Sequence, residues 1–297
     1  MIKDQFGNTW YKGNWHTHTT ASDGRSTPED TLQLYRENGY DFIALTDHYK
    51  WRPESLEENG ILCLSGAEYD TGADVWEGVY HVTAIGCTEE PKLSREPQKA
   101  SVVEIMNEIH RCGGIAILAH PAWSLNTPEQ LEKLPMDGVE IYNTVSGRPW
   151  NCRPESGAIV DQLAVKGVFP RCIAADDTHF YEGDQCRSYI MVKANECTRE
   201  AILQAFLAGD YYATQGPEFS VAVEGDEVVV RSSPVFDVIF YTNMPWTPKR
   251  VVRGENVTEA RYLIKSGDRF VRVELIDAEG NSAWSPAIPV NGWPEKK

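Results

Sequence analysis

Residues 101–123 read SVVEIMNEIHRCGGIAILAHPAW, and this stretch decides the fold class. Val102, Ile105, Met106 and Ile109 recur at the spacing of one helix face, and Gly113 supplies the stop. The apolar run of residues 115–120, IAILAH, follows at once and predicts a short buried strand ending on His120. A helix feeding a short apolar strand is the repeating unit of a parallel α/β sheet, and the first 215 residues carry that unit repeatedly. Strands are predicted at residues 43–46 (IALT), 61–66 (ILCLSG), 81–86 (HVTAIG), 138–143 (GVEIYN) and 171–175 (RCIAA). Helix patterns occupy residues 26–39, 126–134 and 198–209. In the first of these Thr27 caps, Pro28 suits the first helical position, Glu29 and Asp30 complement the helix dipole, and Gly39 ends the run. Six or seven such units predict either an open doubly wound sheet or a closed barrel.

From residue 216 the pattern changes to alternating apolar and polar residues in FSVAVEG (219–225), EVVVRS (227–232), VFDVIFYT (235–242), ARYLIKSG (260–267) and RFVRVELID (269–277). This predicts a small antiparallel β domain. The expected division is therefore residues 1–215 and 216–297, with the boundary near YYATQGP, and no low-complexity linker between them.

The composition, 41% hydrophobic and 24% charged over 297 residues, is that of a globular protein. No apolar run reaches the roughly 18 residues of a membrane span, and the first residues lack the basic-then-apolar layout of a signal peptide. A cytoplasmic protein is expected, with a periplasmic or secreted parent open if a leader was removed. Cys63, Cys87, Cys112, Cys152, Cys172, Cys186 and Cys197 form no C-x-x-C pair, so they read as free thiols in a reducing compartment. The net charge of −16 argues against general binding to nucleic acid or to an anionic membrane. Twelve acidic and ten basic residues lie after residue 215, which leaves −14 on the first 215. If that part handles a phosphate, bound divalent cations are the natural source of local positive charge.

Six of the seven histidines fall at the end of a predicted strand or beside an acidic residue. His16 and His18 alternate in HTHTTASDG and so face the same way, and Asp23 follows in a turn. Other apolar runs end on Asp47 and His48, near Glu68, on His120, and on Asp177 and His179, while His81 opens the strand HVTAIG. In parallel α/β folds such strand ends converge on the functional site. Imidazole with carboxylate suits zinc, manganese or iron, and so many donors exceed one tetrahedral ion, which points to a multinuclear centre with Glu68 or a similar carboxylate as bridge. A lone His-x-His is weak; the argument rests on several such clusters in one chain. His110 sits mid-helix and reads as structural.

The series HTHTTASDG, LTDH, GAE, HVTAIG, AHP, GVEIYN and DDTH resembles the polymerase and histidinol phosphatase (PHP) family, in the order that family carries them, from about Asn14 to Phe180. The resemblance implies a distorted seven-stranded (β/α) barrel with a trinuclear metal site. It implies one ion held by His16, His18, Glu68 and Asp177, a second by Glu68, His81 and His120, and a third by Asp23, His48 and His179. GDYYATQGPEF and FVRVELIDAEGNSAWSPAI are similar to the C-terminal module of bacterial members described as phosphoesterases or as relatives of carbaryl hydrolase.

The expected cofactors are two or three divalent ions (Zn, Mn or Fe), and the expected reaction is attack of a metal-bridging hydroxide on a small phosphate monoester, a nucleotide or sugar phosphate. Catalysis is assigned to Glu68, Asp177 and His179. Hydrolysis of a carbamate or amide bond is the alternative, and a glycan- or partner-binding protein with a vestigial barrel is a third reading. Asp47 is a candidate to orient an imidazole or to cap a strand end. Glu140 and Asn143 are candidates for substrate or for supporting the metal residues. Arg25, Lys50, Arg148, Arg153 and Arg187 are candidate phosphate clamps, and Trp51, Trp123 and Trp150 candidate stacking platforms.

Overall fold

The computed structural model describes residues 1–3, 8–56, 60–72, 76, 78–93 and 96–294, so that residues 4–7 and 295–297 of the two expected domains lie outside the described residues. The helices form where local chemistry starts and stops them. Pro28–Glu37 begins with the Asp30 N–H donating to the Thr27 side chain, and Gly39 follows at φ 79°. Val102–Arg111 is capped by Ser101 and buries Val102, Ile105, Met106 and Ile109, the stripe read from the sequence. Arg199–Ala208 is capped by Thr198 and ends on Gly209. Pro128–Leu131 is a single turn closed by a Thr127/Gln130 capping box. The helix Gly157–Val165 was not expected: it opens on glycine, and Ser156 makes no side-chain cap bond.

Five strands form one sheet in the spatial order Arg171–Ala175, Gly138–Asn143, Ile115–Leu118, Tyr80–Ile85, Gly66–Thr71. The first three are parallel. Tyr80–Ile85 runs antiparallel to both of its neighbours, which corrects the expectation of a wholly parallel sheet. Only residues 72–79 join it to Gly66–Thr71, too few for a parallel crossover of about a dozen residues, so the chain turns back.

The second sheet has thirteen strands among the described residues. Thr9–Asn14 pairs in parallel with Phe42–Ala44, which pairs in parallel with Leu62–Leu64. On its other side the order continues through Tyr189–Lys193, Tyr211–Thr214, Ser282–Trp284, Phe270–Ile276 and Glu227–Thr242 to Phe219–Glu224, all antiparallel. Glu227–Thr242 joins the two short strands expected at 227–232 and 235–242 into one, with register shifts around Val235 just after Pro234, which has no N–H to donate. Ala213 and Thr214 pair with Trp284 and Ala283, so the hydrogen-bonded ladder crosses residue 215.

Among the described residues no closed barrel is found, so the expected α/β class holds while the seven-stranded barrel is not confirmed. The two sheets are linked instead by isolated bridges, Thr17 with Thr178 and His48 with Glu68. One ladder stops where Asp177, at φ 55°, leaves extended backbone. Near the other, the chain passes so closely that a Cβ on Gly66 would meet the Leu45 carbonyl oxygen at 2.4 Å. Both seams fall among the candidate ligands. The main core packs Ile105, Ile109 and Phe206 of the helices against Ile117, Val139 and Ile173 of the strands, and a second apolar cluster fills the C-terminal strands. Among the described residues no helix is long and apolar enough to cross a membrane, and all seven cysteines are free.

Candidate metal centre

The two seams carry the ligand candidates into one place. The Asp177 N–H donates to the His16 carbonyl (2.9 Å) and the His18 N–H to the Thr178 carbonyl (3.0 Å), so the segment of His16 and His18 lies against that of Asp177 and His179. The Tyr49 N–H donates to the Glu68 carbonyl (2.9 Å) beside the bridge from His48 to Glu68. The turn that delivers Asp23 needs Gly24: a Cβ there would meet the His18 carbonyl oxygen at 2.4 Å. Asp177 and His120 both have positive φ, an unfavourable backbone for these residue types that the surrounding contacts hold in place.

All nine expected residues fall into three groups whose donor atoms lie within 4.8 Å of one another: His16, His18, Glu68 and Asp177; Glu68, His81 and His120; and His18, Asp23, His48 and His179. The first is the tightest. Its Nε2 atoms of His16 and His18 are 3.2 Å apart. The Glu68 Oε2 atom lies 3.2 and 3.0 Å from them, and the Asp177 Oδ1 atom 3.1 Å from each. In the second, Glu68 Oε1 is 2.9 Å from His81 Nδ1 and 3.6 Å from His120 Nε2. In the third, Asp23 Oδ2 is 3.5 Å from His179 Nε2 and 3.8 Å from His48 Nε2.

These donors fit metal ions. Four atoms placed tetrahedrally about 2.0–2.1 Å from one ion stand roughly 3.3 Å apart, close to the spacing of the first group. The Asp177 Oδ1 and His48 Nδ1 atoms are buried without a hydrogen-bond partner, so their lone pairs converge on the cluster instead of being spent on a donor. The other ring nitrogens are spoken for: His16 Nδ1 faces Glu140 Oε1 at 2.6 Å, His120 Nδ1 faces Ser124 Oγ at 3.3 Å, and His179 Nδ1 donates to the Asp177 carbonyl at 2.7 Å. Each contact leaves Nε2 free to face the cluster.

Carboxylates and imidazoles in the cluster shift one another's protonation. Burial works against protonation of His16, but Asp177, Glu68 and Glu140 outweigh it and hold the imidazole well above its ordinary range. Burial likewise opposes a charge on His18, and the pull of the Asp177, Asp23 and Glu68 carboxylates prevails. Glu68 is held well below the usual carboxylate range by His16 and His81 against the cost of burial, and Asp23 is lowered by hydrogen bonds from His179 and His18. His48 shifts down through burial.

The remaining candidates separate. Glu140 is fully buried, and its Oε2 atom accepts from the His120 N–H (2.8 Å) and from Asn143 Nδ2 (2.7 Å), which also reaches Asp177 Oδ2 at 3.1 Å. Glu140 and Asn143 thus spend their polar atoms on the ligand residues. Asp47 touches no imidazole; it accepts from the Thr19 N–H and hydroxyl and from Ser22, pinning the turn before Asp23. Arg25 pairs with Glu182 at 2.7 Å and lies over the Phe180 ring. Lys50, Arg148, Arg153 and Arg187 are exposed, and no described hydrogen bond or ion pair ties their side chains to the cluster. Trp123 stands edge-on to His120 and His81, with ring centroids 4.9 and 5.7 Å away, and Trp150 is parallel to Phe180. Trp51 packs against the main core. His110 lies outside the cluster and pairs with Asp137. Sequence reading missed Asp184, which accepts from the N–H groups of His179, Phe180 and Glu182, and Asp70, 3.7 Å from His48. A cue existed for Asp184, an acid five residues after a ligand in a glycine-containing turn; none marked Asp70.

No protein-family model and no curated protein matches the chain. Among solved structures it is similar to a two-domain protein from Bacteroides vulgatus containing a predicted PHP-like metal-dependent phosphoesterase, at 18% identity and a TM-score of 0.54, over 97% of this chain and 98% of that one. An amidohydrolase from Chromobacterium violaceum, with sulfate bound and no metal, matches 58% of this chain and 89% of that one at 15% identity and a TM-score of 0.43. A candidate metal-dependent phosphoesterase from Bifidobacterium adolescentis matches 56% and 87% at 16% identity and a TM-score of 0.41. The first likeness is one of fold and spans nearly the whole of both chains.

Proposed function

We propose that this chain is a metal-dependent phosphoesterase that hydrolyses a small phosphate monoester, a nucleotide or a sugar phosphate. The observation that carries the reading is the set of four almost fully buried donor atoms, from His16, His18, Glu68 and Asp177, converging at 3.0–3.2 Å. The fold likeness to a chain containing a PHP-like metal-dependent phosphoesterase supports it. The groups around Glu68, His81 and His120 and around His18, Asp23, His48 and His179 would hold further ions, two or three in all, of zinc, manganese or iron. Such ions would supply Lewis acidity toward a phosphoryl oxygen and lower the pKa of bound water to near neutrality.

The chain's own residues prepare the site. Glu140 fixes the proton of His16 on Nδ1, Asn143 steadies Glu140 and Asp177, and Trp123 covers the His81 and His120 side with an apolar ring. With Arg25 engaged by Glu182, the exposed Arg148, Arg153, Arg187 and Lys50 are the cations free to meet phosphate oxygens. The catalytic unit is residues 1–215, followed by a β unit of residues 216–297. The test is elemental analysis combined with a hydrolysis screen in manganese, zinc and iron. Release of phosphate from monoesters supports the reading; turnover of carbamates or amides alone overturns it.

A further inference from the structure

We infer that the chain carries a second ligand site, apart from the metal centre, that takes a neutral saccharide. A cavity of about 950 Å³ lies against strands of the larger sheet, with Trp10, Tyr212, Phe219, Glu218 and Ser232 in its wall. That volume is in the range of small-molecule sites, roughly 300–1,000 Å³. No residue of the three metal-binding groups lines it. Trp10 sits near the start of the Thr9–Asn14 strand, whose far end leads into His16, which puts the two sites about 20 Å apart at roughly 3.3 Å per residue.

The wall selects the chemistry. Half-buried Trp10 lies against buried Tyr212, with ring centroids 5.2 Å apart at 58°, and Tyr212 against buried Phe219, 5.1 Å apart at 59°, so the core holds the Trp10 ring as the apolar side of the cavity. An anion is disfavoured. The two cations in the wall are already taken, Lys193 by Asp210 at 2.6 Å and Arg231 by Glu224 at 2.8 Å, while Glu218 is exposed and its carboxylate has no ion partner among the described residues. A purely apolar ligand is disfavoured as well, because Glu218 would lose water to it. An uncharged ring with C–H faces and several hydroxyls suits both sides: a face packs on Trp10, and its hydroxyls donate to Glu218.

The experiment titrates cellobiose, maltose and xylobiose, with inorganic phosphate and 1-hexanol as controls, into the full chain before and after chelation, followed by calorimetry and tryptophan fluorescence. At least one disaccharide should bind, with an affinity that is unchanged by the chelator or by His16→Ala. Trp10→Ala and Glu218→Ala should each weaken it by ~10-fold or more. If Trp10→Ala does not fold, the exposed Glu218→Ala decides alone. Absence of binding by all three disaccharides, loss of binding on chelation, or unchanged affinity in Glu218→Ala overturns the inference, as does tighter binding of phosphate or hexanol at the same site. Because the readout is equilibrium binding with or without metal, failure here leaves the proposed hydrolytic activity untouched, and the reverse holds too.

Discussion

Replacing Glu140 by glutamine tests whether the buried cluster is built for metal, because it keeps shape and volume while changing one oxygen. Glu140 makes three polar contacts from full burial: Oε1 with His16 Nδ1 at 2.6 Å, and Oε2 accepting from the His120 N–H and from Asn143. Glutamine cannot serve all three. With its carbonyl toward His16, the new amide N–H groups face two donors. With its amide toward His16, it donates to Nδ1 and drives the imidazole proton to Nε2, the atom that points at His18, Glu68 and Asp177. Loss of such a support costs about 10–100-fold in metal affinity, or roughly 1.4–2.8 kcal/mol. Competition with a graded chelator measures this directly, with circular dichroism to show that the fold persists and His110→Gln as a control expected to leave affinity unchanged. A folded Glu140→Gln protein that holds metal as tightly as the parent would refute the reasoning.

His16→Ala and Glu68→Ala should each abolish turnover and lower bound metal, because each removes an atom of the tightest group; full activity in either would sink the assignment. Gly24→Ala forces a Cβ against the His18 carbonyl and should lower metal content by the share held through Asp23, leaving the fold intact by circular dichroism. In the metal-free protein the pKa values of His16 and His18 are raised, so the stability they contribute is full below the unfolded value of about 6.5 and is lost as pH rises through the folded values. Metal needs the neutral imidazoles, so loading should release protons and tighten with rising pH; thermal melts of both forms between about pH 6 and 9 should diverge as pH rises, and parallel curves would contradict this. Asp161→Ala strands the buried Arg272 guanidinium, which pairs with Asp161 at 2.7 and 3.0 Å, and should destabilise the chain by about 3 kcal/mol in denaturant titration.

The elements that the sequence made legible are those whose causes are local. The Val102–Arg111 stripe, the Thr27 cap, the helix near residues 198–209 and the apolar runs before His120 and Asp177 depend on neighbours a few residues away, and each appears where expected. The nine histidines and carboxylates also lie close together, because strand ends converge in any such fold. What stayed hidden depends on contacts distant in sequence. GVEIYN shows Glu140 between two apolar residues, and only the partner 124 positions away, His16, reveals why a carboxylate is buried there. The reversal of Tyr80–Ile85 follows from the shortness of its connection, which competes with the βα pattern set by its neighbours. The join across residue 215 is a pairing of Tyr211–Thr214 with Ser282–Trp284, a contact that periodicity within either segment cannot announce.

The position of the cluster follows from the same long-range pairings. Thr17 and Thr178 make a bridge between the sheets, and the residues on either side of them are His16, His18, Asp177 and His179; a second bridge is made by His48 and Glu68 themselves. Backbone hydrogen bonds at these bridges, such as those from the Asp177 N–H to the His16 carbonyl and from the Tyr49 N–H to the Glu68 carbonyl, hold the seams, and the side chains beside them face one another. The carboxylates raise the pKa values of His16 and His18, and the imidazoles lower that of Glu68. With metal, the same atoms would surrender their protons and be drawn to common ions instead. The exchange replaces one set of opposite charges by another across the same 3 Å gaps, so it alters proton count and local charge far more than backbone position. Of the −16 net charge, −14 sits on the first 215 residues, yet the ligand set contributes only three carboxylates, Asp23, Glu68 and Asp177. Two or three divalent ions would exceed the charge of those three ligands, and three would also exceed it with Glu140 and Asp70 added; groups beyond about 10 Å are screened, so an overall acidic chain can present a positive centre to a phosphate.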